Sequence, residues 1–453
     1  MPKLLIISRS HNPLGGADRI VSDLCRELPS RGWHTVLGLT RGATFDDPDA
    51  YQQVHRDLPT VEIDGTLGMR SARLKSLHKV IEKTRPDVVL SMRVFDAYQV
   101  VAQRKAANLL KSPRLAVGVR AYESPYISDV QRCRANIDLC VTSGNLIADA
   151  CRKIGGMASE RVESIGGGVH PPKHGAMPRQ TQALKGNAPI RLLYAGRLEQ
   201  HQKRALDLIP FTQTLMNDGI DFQLDICGAG PEQERIASQL KPQIDSGKVK
   251  MHGWVDQADL FDRFYPNADC FVHFSAWEGV TISPREAMAH GVVAVISEFT
   301  GLHSERQFRH GINSLIFPVG QPEIAAKRVS ELLSTSGLMR RLSESAMESQ
   351  TGRYSYSGAL DAWRDALDNC MSLPSVVGEF PNIPEHLNGR LSQSGVPTSV
   401  QLWLRGVLRI PVIHSTPGSE WPTASGLMSK IEQAEIEEFG RNFDAEKKLE
   451  STP

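Results

Sequence analysis

CFVHFSAWEGVTISPREAMAHG (270–291) decides the reading of this chain. CFVHF (270–274) reads as a strand, ISPREAMAH (282–290) as a helix, and Gly291 punctuates the helix end. Glu278 and Glu286 stand eight residues apart in this stretch. The first falls in the loop before the helix and the second about one turn inside it. Both can then face one cleft at the C-terminal edge of a parallel sheet, where open α/β folds bind ligands. The helix N-terminus aims backbone N–H groups at the same place, which suits a phosphate. Glu alone is common on helix faces and in loops; the strand–loop–helix context lifts this pair above that.

The same alternation runs outward in both directions. Upstream come IRLLYAG (190–196), FQLDICGAG (222–230) and VKMHG (249–253); downstream come VVAVIS (292–297) and SLIFPV (314–319), each separated by helix-like or loop segments. Helical stretches at 323–349 and 354–370 would close this domain. An earlier set consists of KLLIIS (3–8), HTVLGL (34–39), DVVLSM (87–92), RLAVGV (114–119), LCVTS (139–143) and RVESI (161–165). Residues 45–70 read as irregular. Strands alternating with helices argue parallel sheets with helices on both faces. The Pro/Gly-rich segment 171–189 reads as the linker. The expected class is α/β, with two doubly wound Rossmann-like domains facing a central cleft: 1–175 and 190–370.

Residues 371–453 form an extension of unknown role with short helical islands. In one, Val400, Trp403, Leu404, Val407 and Leu408 make an apolar stripe, and Pro411 stops it. This is a docking face, or, with Arg405 and Arg409 beside Trp403, a peripheral membrane contact through 398–410.

The bulk properties exclude several classes. At 453 residues the chain can bury two or three cores. A formal net charge of +1 makes no demand for nucleic acid. No run approaches the roughly 18 apolar residues of a spanning helix, and LLII (4–7) is too short for a signal-peptide core. Seven scattered cysteines with no CxxC read as reduced, mostly buried thiols of a cytoplasmic protein. The histidines lack metal-ligand spacing, and no HExxH or DxD is present, so no metal site is expected.

Arg197 and Lys203 follow a strand and Gly196 in AGRLEQHQKRALDL. Two cations just past a strand edge suit a diphosphate: one offers a planar fork, the other a mobile point charge. Gly15 and Gly16 mark the first strand–helix junction, where glycine permits close approach of a ligand or simply a tight turn. CGAGPE (227–232) lacks P-loop spacing and reads as a structural strand–turn–helix.

With these pieces assembled, the chain resembles a retaining glycosyltransferase of the GT-B fold, family 4 (glycosyl transferases group 1). PLGGADRIV, the Gly196–Arg197…Lys203 motif, GAGPE (228–232) and Glu278 through Glu286 followed by AMAHG carry the resemblance. It is specific in 190–320 and looser in 1–170. It implies a nucleotide diphosphate sugar, UDP- or GDP-linked, as co-substrate, with no other cofactor. It assigns Glu278 to the sugar's hydroxyl face and Glu286 to the ribose. Arg197 and Lys203 fall to the diphosphate, and Gly15, Gly16, Gly196, Gly279 and the backbone near Val280, Thr281 and Ile282 to the donor. It implies retention by front-face displacement, in which the departing phosphate helps take the acceptor's proton. The acceptor would be a glycan, a lipid-linked sugar or a small molecule, met in the cytoplasm or at the inner face of the membrane. Two departures stand out. Arg120 occupies the place of a histidine frequent in relatives and becomes the candidate first-domain donor contact. Thr281 replaces a frequent Gly or Pro. The rival readings are a nucleotide-sugar epimerase or phosphorylase of similar fold, and a non-catalytic sugar-nucleotide binding module.

Overall fold

A computed structural model describes residues 1–451 except 12, 14–15, 109–111, 181–187, 280, 384, 386–393 and 423–426. The chain divides into two compact units. One joins Met1–Ile165 to Leu360–Phe439, the other joins Gly166–Ala359 to Gly440–Pro453.

The first unit holds a parallel seven-stranded sheet in the order β3-β2-β1-β4-β5-β6-β7. Its strands are β1 (Lys3–Ser8), β2 (His34–Arg41), β3 (Thr60–Asp64), β4 (Val88–Met92), β5 (Arg114–Val119), β6 (Leu139–Thr142) and β7 (Val162–Ser164). β1 lies at the centre, with Leu5 opposite Val36 on one side and Val89 on the other. Its apolar run is buried on both faces, as a parallel strand between two helical layers must be. β3 and the helix Pro48–Val54 correct the expectation that 45–70 is irregular. TVEID is a short edge strand that buries one side chain deeply, so its sequence carries little apolar signal. The helix is seven residues long and started by Asp47, whose carboxylate caps the N–H groups of Asp49 and Ala50.

The later segment of this unit is part of its structure. Lys105 and Asp138 form a buried pair beneath residues 375–378. Lys105 also donates to Val376 O (3.1 Å), and Asp138 accepts from Val376 N (3.0 Å) and Ser375 Oγ (3.1 Å). Glu420 accepts from three successive backbone N–H groups, of Thr44, Phe45 and Asp46, at 2.7–3.1 Å. Trp421 and Ile436 enter the core itself. Extension residues thus satisfy backbone and charge that the sheet and its loops leave open.

The second unit repeats the plan with six parallel strands in the order β10-β9-β8-β11-β12-β13. They are β8 (Ile190–Ala195), β9 (Phe222–Cys227), β10 (Val249–Gly253), β11 (Cys270–His273), β12 (Val293–Ser297) and β13 (Ser314–Phe317). Leu192, Tyr194, Ile226, Val272, Val293 and Val295 fill its core. The strand order reverses between β8 and β11, so the loops leaving their C-terminal ends diverge and open a crevice. Residues 177–180 are anchored here: Arg179 donates to Ala268 O (2.8 Å), Tyr265 O (3.1 Å) and Pro266 O (2.8 Å). The seven cysteines are all free and buried. Among the described residues no helix is long and apolar enough to cross a membrane.

Candidate functional site at the second switch point

The loop after β8 is shaped by its neighbour after β9. A Cβ at Gly228 would overlap Gly196 O, and one at Gly230 would overlap Leu198 O. Leu198 N donates to Ala229 O (3.0 Å) and Glu232 N to Leu198 O (3.0 Å). CGAGPE is therefore a backbone packing element, as its spacing suggests. Beyond it, the Glu199 carboxylate accepts from Gln202 N (3.0 Å) and Lys203 N (2.8 Å). These bonds outweigh its burial and hold its carboxyl below the usual range. They also close residues 199–203 into a turn that presents Lys203 to the loop after β11.

That loop is stitched across the switch point to the first. Ala276 N donates to Gln202 O (2.8 Å), and Gln202 Nε2 to Trp277 O (3.1 Å). Glu278 N and Thr300 N bond to Thr300 O (3.3 Å) and Ala276 O (3.0 Å). Glu278 is 7% exposed. Its Oε1 receives Lys203 Nζ at 2.5 Å and Ser275 Oγ at 2.6 Å, with His273 Nε2 at 3.3 Å. Burial raises a carboxyl's pKa, but Lys203 and His273 outweigh it here and hold Glu278 at about 2. Ser275 spends its hydroxyl proton on Glu278, so the His273 Nε2 that lies 3.0 Å from Ser275 Oγ must carry a proton and donate. Nδ1 is then the bare nitrogen, and it is buried without a hydrogen-bond partner. Burial lowers the His273 pKa against the pull of Glu278, so the ring is neutral beside the carboxylate.

Glu286 lies in the helix Ser283–Ala289 and is 3% exposed. Its carboxylate accepts from Tyr265 Oη (2.9 Å) and Gln257 Nε2 (3.2 Å). Arg285, fully buried, turns to the other side of this helix. It donates to Gln350 Oε1 (3.0 Å), Gly167 O (2.7 Å) and Tyr354 O (3.1 Å). Burial pushes its pKa down to about 10.

Arg197 is exposed, with one long hydrogen bond, 3.4 Å, to Gln202 Oε1. Gly196 directly follows β8 and Gly279 is half-buried. Thr281 is buried with Oγ1 unpartnered, and Ile282 packs near Gly167, where an added Cβ would meet its Cδ1 at 2.8 Å. Val280 and Gly15 lie outside the described residues; Gly16 opens the helix Gly16–Glu27. Arg120 belongs to the first unit, where it donates to Ile165 O (3.0 Å) and faces the Trp363 ring at 6.0 Å. Burial pushes its pKa down to about 10, and Nε has no partner. The structure thus brings Lys203 and Glu278 into contact and places Arg197 on the same loop as Lys203.

Sequence reasoning passed over Gln202, Ser275, Tyr265, Gln257 and Arg285, and it took His273 only as one of the histidines without metal-ligand spacing. Ser275 carried a usable signal, being a hydroxyl three residues before a carboxylate at a strand end. Tyr265 and Gln257 come from another segment and had none. In the first unit, Asp18 is buried, and its carboxyl is pushed up to about 7 by that burial despite Arg93. Among the described residues no His, Cys, Asp and Glu cluster could hold a metal.

Residues 179–349 match the model of the family described as glycosyl transferases group 1. Over 142 residues the chain is 26% identical to the lipopolysaccharide core biosynthesis glycosyltransferase LpsE of Rhizobium meliloti, a match covering 31% of this chain and 40% of that protein. Over 182 residues it is 28% identical to the amylovoran biosynthesis glycosyltransferase AmsK of Erwinia amylovora, covering 38% of this chain and 42% of that one. The chain thus matches less than half the length of these curated relatives. Among solved structures, the lipopolysaccharide outer core galactosyltransferase WaaB superposes with a TM-score of 0.63 at 16% identity, over 81% of this chain and 99% of that one. HepE of Anabaena in complex with UDP-glucose gives 0.63 at 18%, over 82% and 100%. At these identities the likeness is one of fold, two Rossmann-like domains of GT-B type.

Proposed function

We propose that this chain, whose residues 179–349 match the model of glycosyl transferases group 1, moves a hexose or N-acetylhexosamine from a nucleotide diphosphate sugar to an acceptor hydroxyl. The observation that carries the reading is the Lys203–Glu278 contact at the β8/β11 switch point, inside the matched segment and with Arg197 on the same loop as Lys203. A carboxyl held at about 2 is ionised at neutral pH and can only accept hydrogen bonds. That argues against a hydrolase-type acid, whose pKa must be raised. It favours Glu278 as the acceptor of hydrogen bonds from the donor sugar's hydroxyls. Glu286, already held by Tyr265 and Gln257, receives the ribose hydroxyls, and Gly279, Thr281 and Ile282 line the sugar.

In the reaction, the bond between the anomeric carbon and the phosphate oxygen breaks, and its electron pair leaves with the nucleotide diphosphate. Arg197 and Lys203 meet that charge, so the reading needs no metal. The acceptor oxygen bonds to the anomeric carbon from the same face, and its proton passes to the departing phosphate. The configuration is retained. The UDP-glucose complex of HepE supports a uridine donor. The names of LpsE and AmsK support an acceptor in lipopolysaccharide or other polysaccharide synthesis.

The test is an NMR time course with UDP-glucose, UDP-galactose or UDP-N-acetylglucosamine, with and without glycan acceptors. Nucleotide diphosphate should appear together with an α-linked product when donor and acceptor match. Conversion of donor without acceptor would assign an epimerase instead.

A further inference from the structure

The helix Thr398–Leu408 of the first unit is turned inside out. Its apolar residues Val400, Trp403, Leu404, Val407 and Leu408 fall at i, i+3, i+4, i+7 and i+8, the spacing that normally faces a core. Here that stripe faces solvent: Trp403 is 65% exposed, Val407 and Leu408 63% each, while the polar Gln401 is buried. Ile410 and Ile413 continue the apolar surface beyond the helix.

The patch is held firmly. Val412 N donates to Leu67 O (2.9 Å), and His414 Nε2 bonds Gly68 O (3.0 Å). Downstream, Glu420 is seated on the 44–46 backbone. A rigidly presented apolar face calls for an occupant.

We infer that this face docks on an anionic lipid bilayer. Residues 394–419 contain no Asp or Glu, although 51 of the 453 residues are acidic, so the segment that carries the patch brings only positive charge. Arg405 stands on the helix with Trp403 and Arg409 caps its C-terminal end, the mix that anchors an in-plane helix at the headgroup level. Eleven residues are too few to span a bilayer, so the helix lies along the surface. A second copy meeting the same face would bring its Arg405 and Arg409 against these, like charge on like.

The test is co-sedimentation of the full chain with vesicles of phosphatidylcholine alone or mixed with phosphatidylglycerol. Binding should require the anionic lipid and weaken with salt. Trp403→Ser/Val407→Ser/Leu408→Ser, all outward-facing, should cut the bound fraction at least about tenfold. Arg409→Asn should cut it about fivefold, since Asn tolerates the left-handed backbone at that position (φ 52°). Thermal unfolding and donor binding of each variant should match the parent, which separates this result from the transfer reaction. Failure of the parent to sediment with anionic vesicles would overturn the proposal, as would equal sedimentation of the triple variant. A concentration-dependent dimer lost in the triple variant would give the face to a second copy.

Discussion

Replacing Glu278 by Gln isolates what Lys203 and His273 do for the buried carboxylate. The group is held at about 2, against 4.5 for an ordinary Glu. Each unit corresponds to 1.36 kcal/mol, so the ionised form gains on the order of 3 kcal/mol in the folded state. Lys203 is 24% exposed on its side chain, and water softens its field, which brings the value toward about 2–3 kcal/mol. The folded pKa is depressed, so this stability is present in full above the ordinary value. It is lost as pH falls through 4.5 toward 2. Glu278→Gln lacks it at every pH. At neutral pH the variant should melt about 5–10 °C lower, the shift expected for about 2–3 kcal/mol in a domain of this size. The gap should narrow by roughly half as the buffer is taken from neutral to about pH 3. Calorimetric melting of parent and variant across that range checks it. A gap that stays constant with pH would refute the reasoning, because Glu278 would then not be a carboxylate stabilised by its charge.

Three further outcomes rest on the same geometry. Lys203→Met leaves the Glu278 carboxylate buried without its cation, so its pKa should rise. The acidic limb of the pH–rate profile should move to higher pH, and turnover should fall about a hundredfold or more. Arg285→Met strips hydrogen bonds from Gly167 O, Tyr354 O and Gln350. It should destabilise the second unit by at least about 3 kcal/mol, read by thermal unfolding. Gly228→Ala drives a Cβ into Gly196 O and must displace the loop that carries Arg197 and Lys203. Donor affinity should drop in a calorimetric titration while far-UV circular dichroism stays unchanged.

The parallel strands were legible because strands buried on both faces read as apolar runs: KLLIIS and VVAVIS announce themselves. TVEID did not, since an edge strand needs little apolar surface. Glu278 and Lys203 were legible as types and spacings. Their contact was not, because it depends on the Glu199 turn and on the strand order that puts β8 beside β11. Arg285 carries no distinguishing signal in the sequence, and only the tertiary fold reveals that it is buried against two backbone carbonyls. The extension looked detached for a similar reason. Glu420 and Trp421 are single residues in a polar stretch, and partners such as Thr44 and Arg73 lie far earlier in the chain.

The central claim is that the second switch point holds a nucleotide sugar through Glu286 and its neighbours. Thermal unfolding in the presence of a panel of UDP-, GDP- and ADP-sugars tests it most directly. At about 100 times its Kd, one class should stabilise the parent by roughly 2.7 kcal/mol. Glu286→Ala should fold normally and lose most of that gain at the same concentration. Equal stabilisation of parent and Glu286→Ala, or none by any nucleotide sugar, would contradict the account.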